Sequence, residues 1–382
     1  MKRAMNTTPA LPPIPISDVA ADWAPFAEEA ERVFQRLILS GRFVLGPEVE
    51  RFEADFAAYL GADYAIGVSS GSDALLLTLQ ALGLGPGDEV VTTSLTFVAT
   101  VEAICRVGAQ PVFADICPKT LNVDAAAVAA AMSPRTKCIL AVHLFGRPAP
   151  LPELAHLAQR HGVALVEDVA QATGAELEGR RLGTWGVAGA FSFFPTKNLG
   201  AMGDGGAVVT RDAALARRVQ GLRQHGLDTH GRAVFRGQNA RLDALQGALL
   251  RLKLPHLDAS NQARRTMAAR YQAALTGLPG LELPEACPGH VFHHFPCRLP
   301  PQWRDDVVAD MQAGAIDVRA YYRTPVHLMP AYAQQVHLPC AEAAAAQILC
   351  LPLWATMPVT AVERVTQRLA QSLQRQQRKP SP

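Results

Sequence analysis

The stretch Tyr64-Ala65-Ile66-Gly67-Val68-Ser69-Ser70-Gly71-Ser72-Asp73-Ala74-Leu75-Leu76 passes from a short β-prone run, through a turn of small residues, into a helix-forming run. Downstream the same unit repeats. Strands predicted at 64–68, 89–92, 111–114, 138–142 and 163–167 alternate with helices predicted at 73–82, 97–107, 124–131 and 151–161. That rhythm predicts βαβ units, and so an α/β fold with a mostly parallel sheet covered by helices.

Upstream, residues 24–60 carry helix-period apolar patterns broken at Gly41 and Gly46, with Pro47 suited to a first helical position. After Asp168 the alternation loosens into apolar runs at 189–194 and 206–210, followed by a long helical pattern over 241–275. Pro and Gly cluster between Leu278 and Pro288, where a boundary is expected. Beyond it the pattern gives a strand near 291–298, a helix near 304–313, a strand near 316–319 and a final helix from about 360, fraying from Gln374. The expected organisation is therefore an N-terminal helical segment (1–60), a large α/β unit (61–280) and a smaller C-terminal α+β unit (281–382).

Size and composition bound the function. The 382 residues are 49% apolar and 18% charged, enough to bury a large core. Thirty-six Lys plus Arg against 34 Asp plus Glu gives a formal charge of +2, which points to no nucleic acid and no membrane surface as partner. The longest apolar run, Ala125 to Met132, is short of the ~20 residues a bilayer needs, and Met1-Lys2-Arg3 leads into prolines rather than a signal-peptide core, so a cytoplasmic location is expected. Seven scattered cysteines, none in a two-residue-spaced pair, argue against a disulfide framework and against a zinc site; no metal is expected.

Three stations along the chain could carry chemistry. The turn Ser69-Ser70-Gly71-Ser72 opens a helix whose first amides converge with the positive end of the helix dipole behind them, an anion cradle to which Ser72 adds a hydroxyl. The same residues would also make an ordinary N-cap. The run Val163-Ala164-Leu165-Val166-Glu167-Asp168 reads as a buried strand ending in two carboxylates at the edge where open α/β sheets hold their ligands. Because adjacent strand residues face opposite sides, one carboxylate can point into a crevice while the other faces a helix layer; Asp168 could instead merely cap the segment after the strand.

The third station is Lys197, in Phe191-Ser192-Phe193-Phe194-Pro195-Thr196-Lys197-Asn198-Leu199-Gly200. Only six of the 36 basic residues are lysines, and this one has no carboxylate within five positions. A desolvated lysine has its pKa pulled below ~10.4, which suits imine formation with an aldehyde. An anion cradle, a carboxylate at a strand end and, 29 residues later, a neutralisable lysine match the needs of pyridoxal 5'-phosphate: its phosphate, its ring nitrogen and its aldehyde.

Phe43-Val44-Leu45-Gly46-Pro47-Glu48-Val49, Ser70-Gly71-Ser72-Asp73-Ala74-Leu75, Val166-Glu167-Asp168-Val169-Ala170-Gln171, Phe193-Phe194-Pro195-Thr196-Lys197-Asn198-Leu199-Gly200 and Asn239-Ala240-Arg241-Leu242-Asp243 together resemble the DegT/DnrJ/EryC1/StrS family of nucleotide-sugar aminotransferases. The likeness runs in order from about residue 11 to 370. It implies the fold-type I (aspartate aminotransferase-like) architecture, with pyridoxal 5'-phosphate as cofactor and pyridoxamine 5'-phosphate as its intermediate form. It further implies Lys197 as the Schiff-base lysine and proton carrier, Asp168 as partner of the ring nitrogen, Gln171 beside the ring hydroxyl and Phe97 stacked on the ring. Gly71, Ser72 and Ser192 match phosphate-binding positions. Asn239 matches the asparagine that reaches the neighbouring subunit's phosphate, so a homodimer with shared active sites is implied.

The segment Tyr321-Tyr322-Arg323-Thr324-Pro325-Val326-His327-Leu328 resembles the family's substrate-side loop, which makes Tyr322 and His327 candidates for sugar or diphosphate contact. His225 and His230, with Arg223 and Arg232, are expected to border the nucleotide. Ser72 stands where many relatives have Thr, and Met202 and Gln238 where aromatics are frequent. The implied reaction moves an amino group from L-glutamate to a keto carbon of a nucleotide-linked deoxysugar, C3 favoured over C4 by the Gly-Ser-Asp-Ala-Leu variant. Alternatives are amination of a cyclitol or related precursor, a sugar dehydratase of the same family, in which histidine replaces the lysine, and a non-catalytic regulator.

Overall fold

The computed structural model describes residues 12–379; residues 1–11, which open the expected N-terminal segment and hold its charged start, and residues 380–382 lie outside the described residues. Eleven strands are present among the described residues: β1 (Tyr64–Val68), β2 (Glu89–Thr93), β3 (Gln110–Ala114), β4 (Thr136–Val142), β5 (Ala164–Asp168), β6 (Glu176–Leu177), β7 (Arg180–Arg181), β8 (Ala188–Ser192), β9 (Gly206–Thr210), β10 (Phe295–Arg298) and β11 (Ile348–Leu351). Seven form the main sheet in the order β1-β9-β8-β5-β4-β2-β3. All its pairings are parallel except those of β9, which runs against β1 and β8. The sheet is mostly parallel, as the strand-helix rhythm requires.

The helices are α1 (Val19–Trp23), α2 (Ala27–Ser40), α3 (Pro47–Leu60), α4 (Gly71–Ala81), α5 (Ala99–Arg106), α6 (Ala125–Ala131), α7 (Leu151–His161), α8 (Ala213–Leu222), α9 (Ala244–Lys253), α10 (Leu257–Leu275), α11 (Pro301–Ala313), α12 (Pro339–Gln347) and α13 (Val359–Gln377). They cover both faces of the sheet, and period-two alternation decides which strand residue goes where. On β5, Leu165 enters the core shared with Phe52 and Phe56 of α3 and Leu151 and Leu154 of α7, while Val166 enters the opposite core with Leu76 of α4 and Val219 of α8.

A cluster of phenylalanines ties the N-terminal helices to the strand that leads into Lys197. Phe56 packs edge-on against Phe191 and Phe193 at centroid distances of 5.1 and 5.3 Å, and Phe52 lies 5.4 Å from Phe193. Beyond the main sheet, β10 and β11 pair antiparallel, and their inward residues share a core with Tyr271 of α10, Met311 of α11 and Leu369 of α13. Ile14 belongs to that same core and pairs with Ile316, so the stretch just before α1 is held against the second sheet's core.

Several expected elements differ in detail. The 241–275 pattern is two helices, parted at Leu254–His256 where Pro255 cannot continue the hydrogen-bond ladder. No strand forms at 316–319, because its backbone pairs are split between Ile14 and Cys350 and make only single bridges. The strand expected from 291 starts at Phe295; residues before it are irregular, with Phe292 at φ 45. The expected fraying from Gln374 is absent: α13 continues to Gln377, with Gln376 buried and Arg375 2.6 Å from Asp310. No helix of the described residues is long and apolar enough to cross a membrane.

Phe56 is fully buried at the centre of the phenylalanine cluster. Phe56→Ala is expected to lower stability by about 3–5 kcal/mol, read as a shift of the urea midpoint; a loss below about 1 kcal/mol would contradict this account of the packing.

Candidate active site

At the C-terminal edge of β5 the chain places a cavity of about 510 Å³ lined by Ser70, Gly71, Ser72, Phe97, Thr100, Asp168, Gln171, Ser192, Lys197, His294, Tyr321 and Tyr322 among others. Three sequence stations far apart in the chain therefore meet in one place, and each arrives by a local rule.

The cradle forms because Ser70, in extended conformation, caps α4 by accepting from the amide of Asp73 at 3.1 Å. The helix thus begins at Gly71, two residues earlier than its sequence pattern indicates, and the amides of Gly71 and Ser72 are left without intrahelical acceptors. A Cβ on Gly71 would lie 2.6 Å from Ser192 Cβ and 3.0 Å from its Oγ, so only glycine lets the helix start come this close to the Ser192 hydroxyl. A Cβ on Gly206 would collide with the carbonyl of Ser70. The capping role and the cradle are compatible: Ser70 supplies the cap, and Gly71 and Ser72 face the cavity.

The two carboxylates at the end of β5 part as strand alternation demands. Glu167 is fully buried on the far side, where it accepts from the amides of Gly183 (2.7 Å), Trp185 (2.7 Å) and Gly186 (2.9 Å) and lies 3.2 Å from His143 Nε2. Ala149 donates to His143 Nδ1, so the Nε2 hydrogen serves Glu167. Asp168 faces the cavity. Its Oδ1 accepts from the amide of Ala170 (3.1 Å) and its Oδ2 from Thr100 Oγ1 (2.9 Å). Burial pushes the Asp168 carboxyl up, while those two donors and the charge of Lys197 pull it back toward ionisation.

Lys197 lies in the turn after β8, among Phe194, Pro195 and Thr196. Its flank is half-buried, and the surface it keeps lines the cavity. Burial pushes its amine down to about 8, with Asp168 acting in the other direction. A fraction of the amine is thus neutral and nucleophilic near neutral pH. Gln171 accepts from the amide of Phe145 at 2.7 Å and donates through Nε2 to Tyr322 Oη at 3.0 Å, which holds both side chains at the wall. Phe97 is 56% exposed because α5 starts only at Ala99, leaving residue 97 on the preceding turn, its ring 6.2 Å from that of Tyr322.

Some expected site residues lie elsewhere. His327 does not reach the cavity: the turn Val326–Leu328 carries it wholly inside, with Nε2 3.3 Å from Glu342 and its ring 6.1 Å from Phe113. Asn239 is exposed, accepts from Arg241 Nε at 2.9 Å, and lines no part of this chain's own cavity. Arg223, expected beside a nucleotide, is buried and committed to Glu53 (2.5 Å) and the carbonyl of Gly67 (2.6 Å). Arg232 pairs with Asp228 at 2.7 Å, and neither His225 nor His230 lines the cavity.

The sequence pattern does not place Thr96, Thr100, Ile16, Ser17, Asp204, His293, His294 or Tyr321 at the cavity, yet all of them line it. The two histidines come in on the irregular stretch before β10, which is held by His293 N donating to Phe145 O at 2.9 Å. His294 stacks on Tyr321 at 4.7 Å, and burial, together with the nearby Lys197, pushes its imidazole down to about 3. His293 is likewise pushed well down, first by burial and then by His294. Both are neutral at physiological pH.

The chain matches the model of the DegT/DnrJ/EryC1/StrS aminotransferase family over residues 26–370. It belongs to that family. A dTDP-3-amino-3,4,6-trideoxy-alpha-D-glucose transaminase of Streptomyces venezuelae is 44% identical, over 91% of this chain and 93% of that protein. A UDP-N-acetyl-3-dehydro-alpha-D-glucosamine 3-aminotransferase of Acidithiobacillus ferrooxidans is 42% identical, over 94% and 98%. The crystal structure of Streptomyces venezuelae DesV in complex with a ketimine intermediate superposes with a TM-score of 0.91 at 42% identity, covering 97% of this chain and 100% of that one. The fold is therefore that of this aminotransferase family.

The cavity fits pyridoxal phosphate on its own geometry: a glycine-dependent cradle for an anion, an amine brought close to neutrality by burial, and a buried carboxylate. Since Asp168 raises the pKa of Lys197, Asp168→Asn is expected to move it below the native value of about 8. The pH dependence of Lys197 acylation in the cofactor-free protein, followed by peptide mapping, measures this; an unchanged midpoint would contradict the coupling.

Proposed function

We propose that this aminotransferase uses pyridoxal 5'-phosphate to move an amino group from L-glutamate to the C3 keto carbon of a nucleotide-linked deoxysugar. The single observation that carries the cofactor reading is the meeting of Lys197 and Asp168 in one cavity beneath the start of α4. When bound, the cofactor supplies an electrophilic aldehyde and an electron-accepting ring. The amides of Gly71 and Ser72 and the hydroxyls of Ser72 and Ser192 would hold its phosphate. Asp168 would keep its ring nitrogen protonated, with Gln171 beside the ring and Phe97 over it.

Lys197 Nζ would take the proton from the donor's α-carbon and hand it on, a task for which an amine poised at about 8 is suited. Tyr322, with burial holding its phenol protonated, and the neutral His293 and His294 line the substrate side without adding charge. The C3 assignment is supported by the two curated relatives, each named for a 3-amino product or a 3-aminotransferase.

A homodimer is part of the proposal. Phe34, Ile38, Leu39, Phe43 and Val44 are 42–88% exposed on and just after α2, an apolar face suited to a second copy. Asn239, exposed and outside this chain's own cavity, would reach the second copy's cradle.

The test is a panel of 3-keto and 4-keto nucleotide sugars incubated with glutamate and scored for 2-oxoglutarate. Turnover of a 3-keto sugar is expected. Turnover of 4-keto sugars alone would overturn the C3 assignment, and silence on every sugar would move the acceptor to a keto cyclitol. Lys197→Ala is expected to lower turnover by about 10³-fold or more and to abolish the borohydride-sensitive visible band of the bound cofactor.

A further inference from the structure

Helical threonines usually turn their hydroxyl back to a carbonyl one turn earlier. Thr78 on α4 does so, donating to Ala74 O at 2.7 Å. Thr100, in the first turn of α5, does not. Its Oγ1 donates to Asp168 Oδ2 at 2.9 Å, across 68 residues of sequence, and lies 2.9 Å from Thr96 Oγ1. Thr96, Thr100 and Asp168 are 2%, 1% and 6% exposed, so water competes little with these contacts.

A hydroxyl has one proton to give. With Asp168 ionised, the proton of Thr100 goes to the carboxylate, so the proton of Thr96 must go to Thr100. The three side chains then form a chain polarised in one direction, toward Asp168. Hydrogen bonds to a charged acceptor are about twice as strong as neutral ones, and a second donor behind the first strengthens it further in a low-dielectric setting. Were Asp168 protonated, the chain would lose this polarity, so it favours the ionised form.

We propose that Thr96 and Thr100 are positioning residues that hold Asp168 as an oriented carboxylate for the cofactor's ring nitrogen. This rests on the cofactor reading given above. Neither threonine is asked to touch the reacting atoms; both act through Asp168. The amide of Ala170 fixes the other carboxylate oxygen, so the plane of the group is set from two sides. The other titratable groups that act on Asp168 are Lys197 from the turn after β8, His143 at the end of β4 and Tyr322 opposite.

The experiment measures the pyridoxal phosphate dissociation constant of the full-length protein against pH, from the visible absorbance of bound cofactor, for the wild type, Thr100→Val, Thr100→Ser and Thr96→Val. Removing the donor disfavours the ionised carboxylate, so Asp168 takes up its proton at a higher pH. Thr100→Val is expected to bind about tenfold more weakly or worse, with the acid limb of the affinity profile moved to higher pH. Thr100→Ser keeps the donor and is expected within about threefold of wild type. Thr96→Val is expected to shift the limb in the same direction by less.

Wild-type affinity and an unmoved limb in Thr100→Val would overturn the relay, as would a Thr100→Ser as weak as Thr100→Val, which would make the site one of packing. If Thr100→Val does not fold, Thr96→Val decides: a shifted limb supports the relay and an unshifted one overturns it. A wild-type protein that takes up no pyridoxal phosphate would sink the functional reading itself, and the relay with it.

Discussion

Taking an ammonium and a carboxylate out of water is expensive unless each finds compensation, and this chain does so with Lys197 and Asp168 in one cavity. The cost is met differently at the two ends. Asp168 receives two donors that oppose the upward push of burial on its carboxyl. Lys197 receives no such help, and burial relaxes it toward the neutral amine. A pair treated symmetrically would be an ordinary buried salt bridge. The asymmetry leaves one carboxylate held by donors and one amine drawn toward its nucleophilic form, a pairing suited to chemistry on an aldehyde and a ring nitrogen.

Much of the surrounding fold serves to make that asymmetry hold. Strand alternation on β5 sends Glu167 to the opposite face, where three loop amides and His143 occupy it, so a second carboxylate does not compete for the amine. The phenylalanine cluster fixes β8 against α3 and hence the turn that carries Lys197. Glycine at 71 lets the start of α4 approach Ser192 at a separation no side chain would permit. Around the rim, Tyr322 and the two histidines before β10 bring polar atoms to the cavity while adding no charge.

The site is legible where function presses on local sequence. A scarce lysine between a Phe-Phe-Pro run and a glycine, a strand closing on two carboxylates, and a serine-glycine turn opening a helix are each visible over ten residues. His327 is misleading because its neighbours in the chain suggest a substrate loop, while the turn at 326–328 rotates it beneath the surface onto Glu342. Arg223 misleads for a similar reason: a cation in a glycine-flanked loop looks free, and Glu53, 170 residues away, engages it.

Composition and periodicity alone determined that the chain would build a helix-covered, mostly parallel sheet, because apolar spacing is a local property and strands joined through helices pair in parallel. They also singled out Lys197 as a candidate amine and the pair Glu167 and Asp168 as candidate acids, between which the resemblance to the family chose Asp168. Only the tertiary structure decided that Thr100 would serve Asp168 rather than its own helix, that His293 and His294 would face the cavity, and that Asn239 would face away from it. The first two of those outcomes depend on contacts between residues 68 to more than 100 positions apart, and nothing in a local window encodes which distant group will arrive to claim a hydroxyl or to hold an irregular stretch in place.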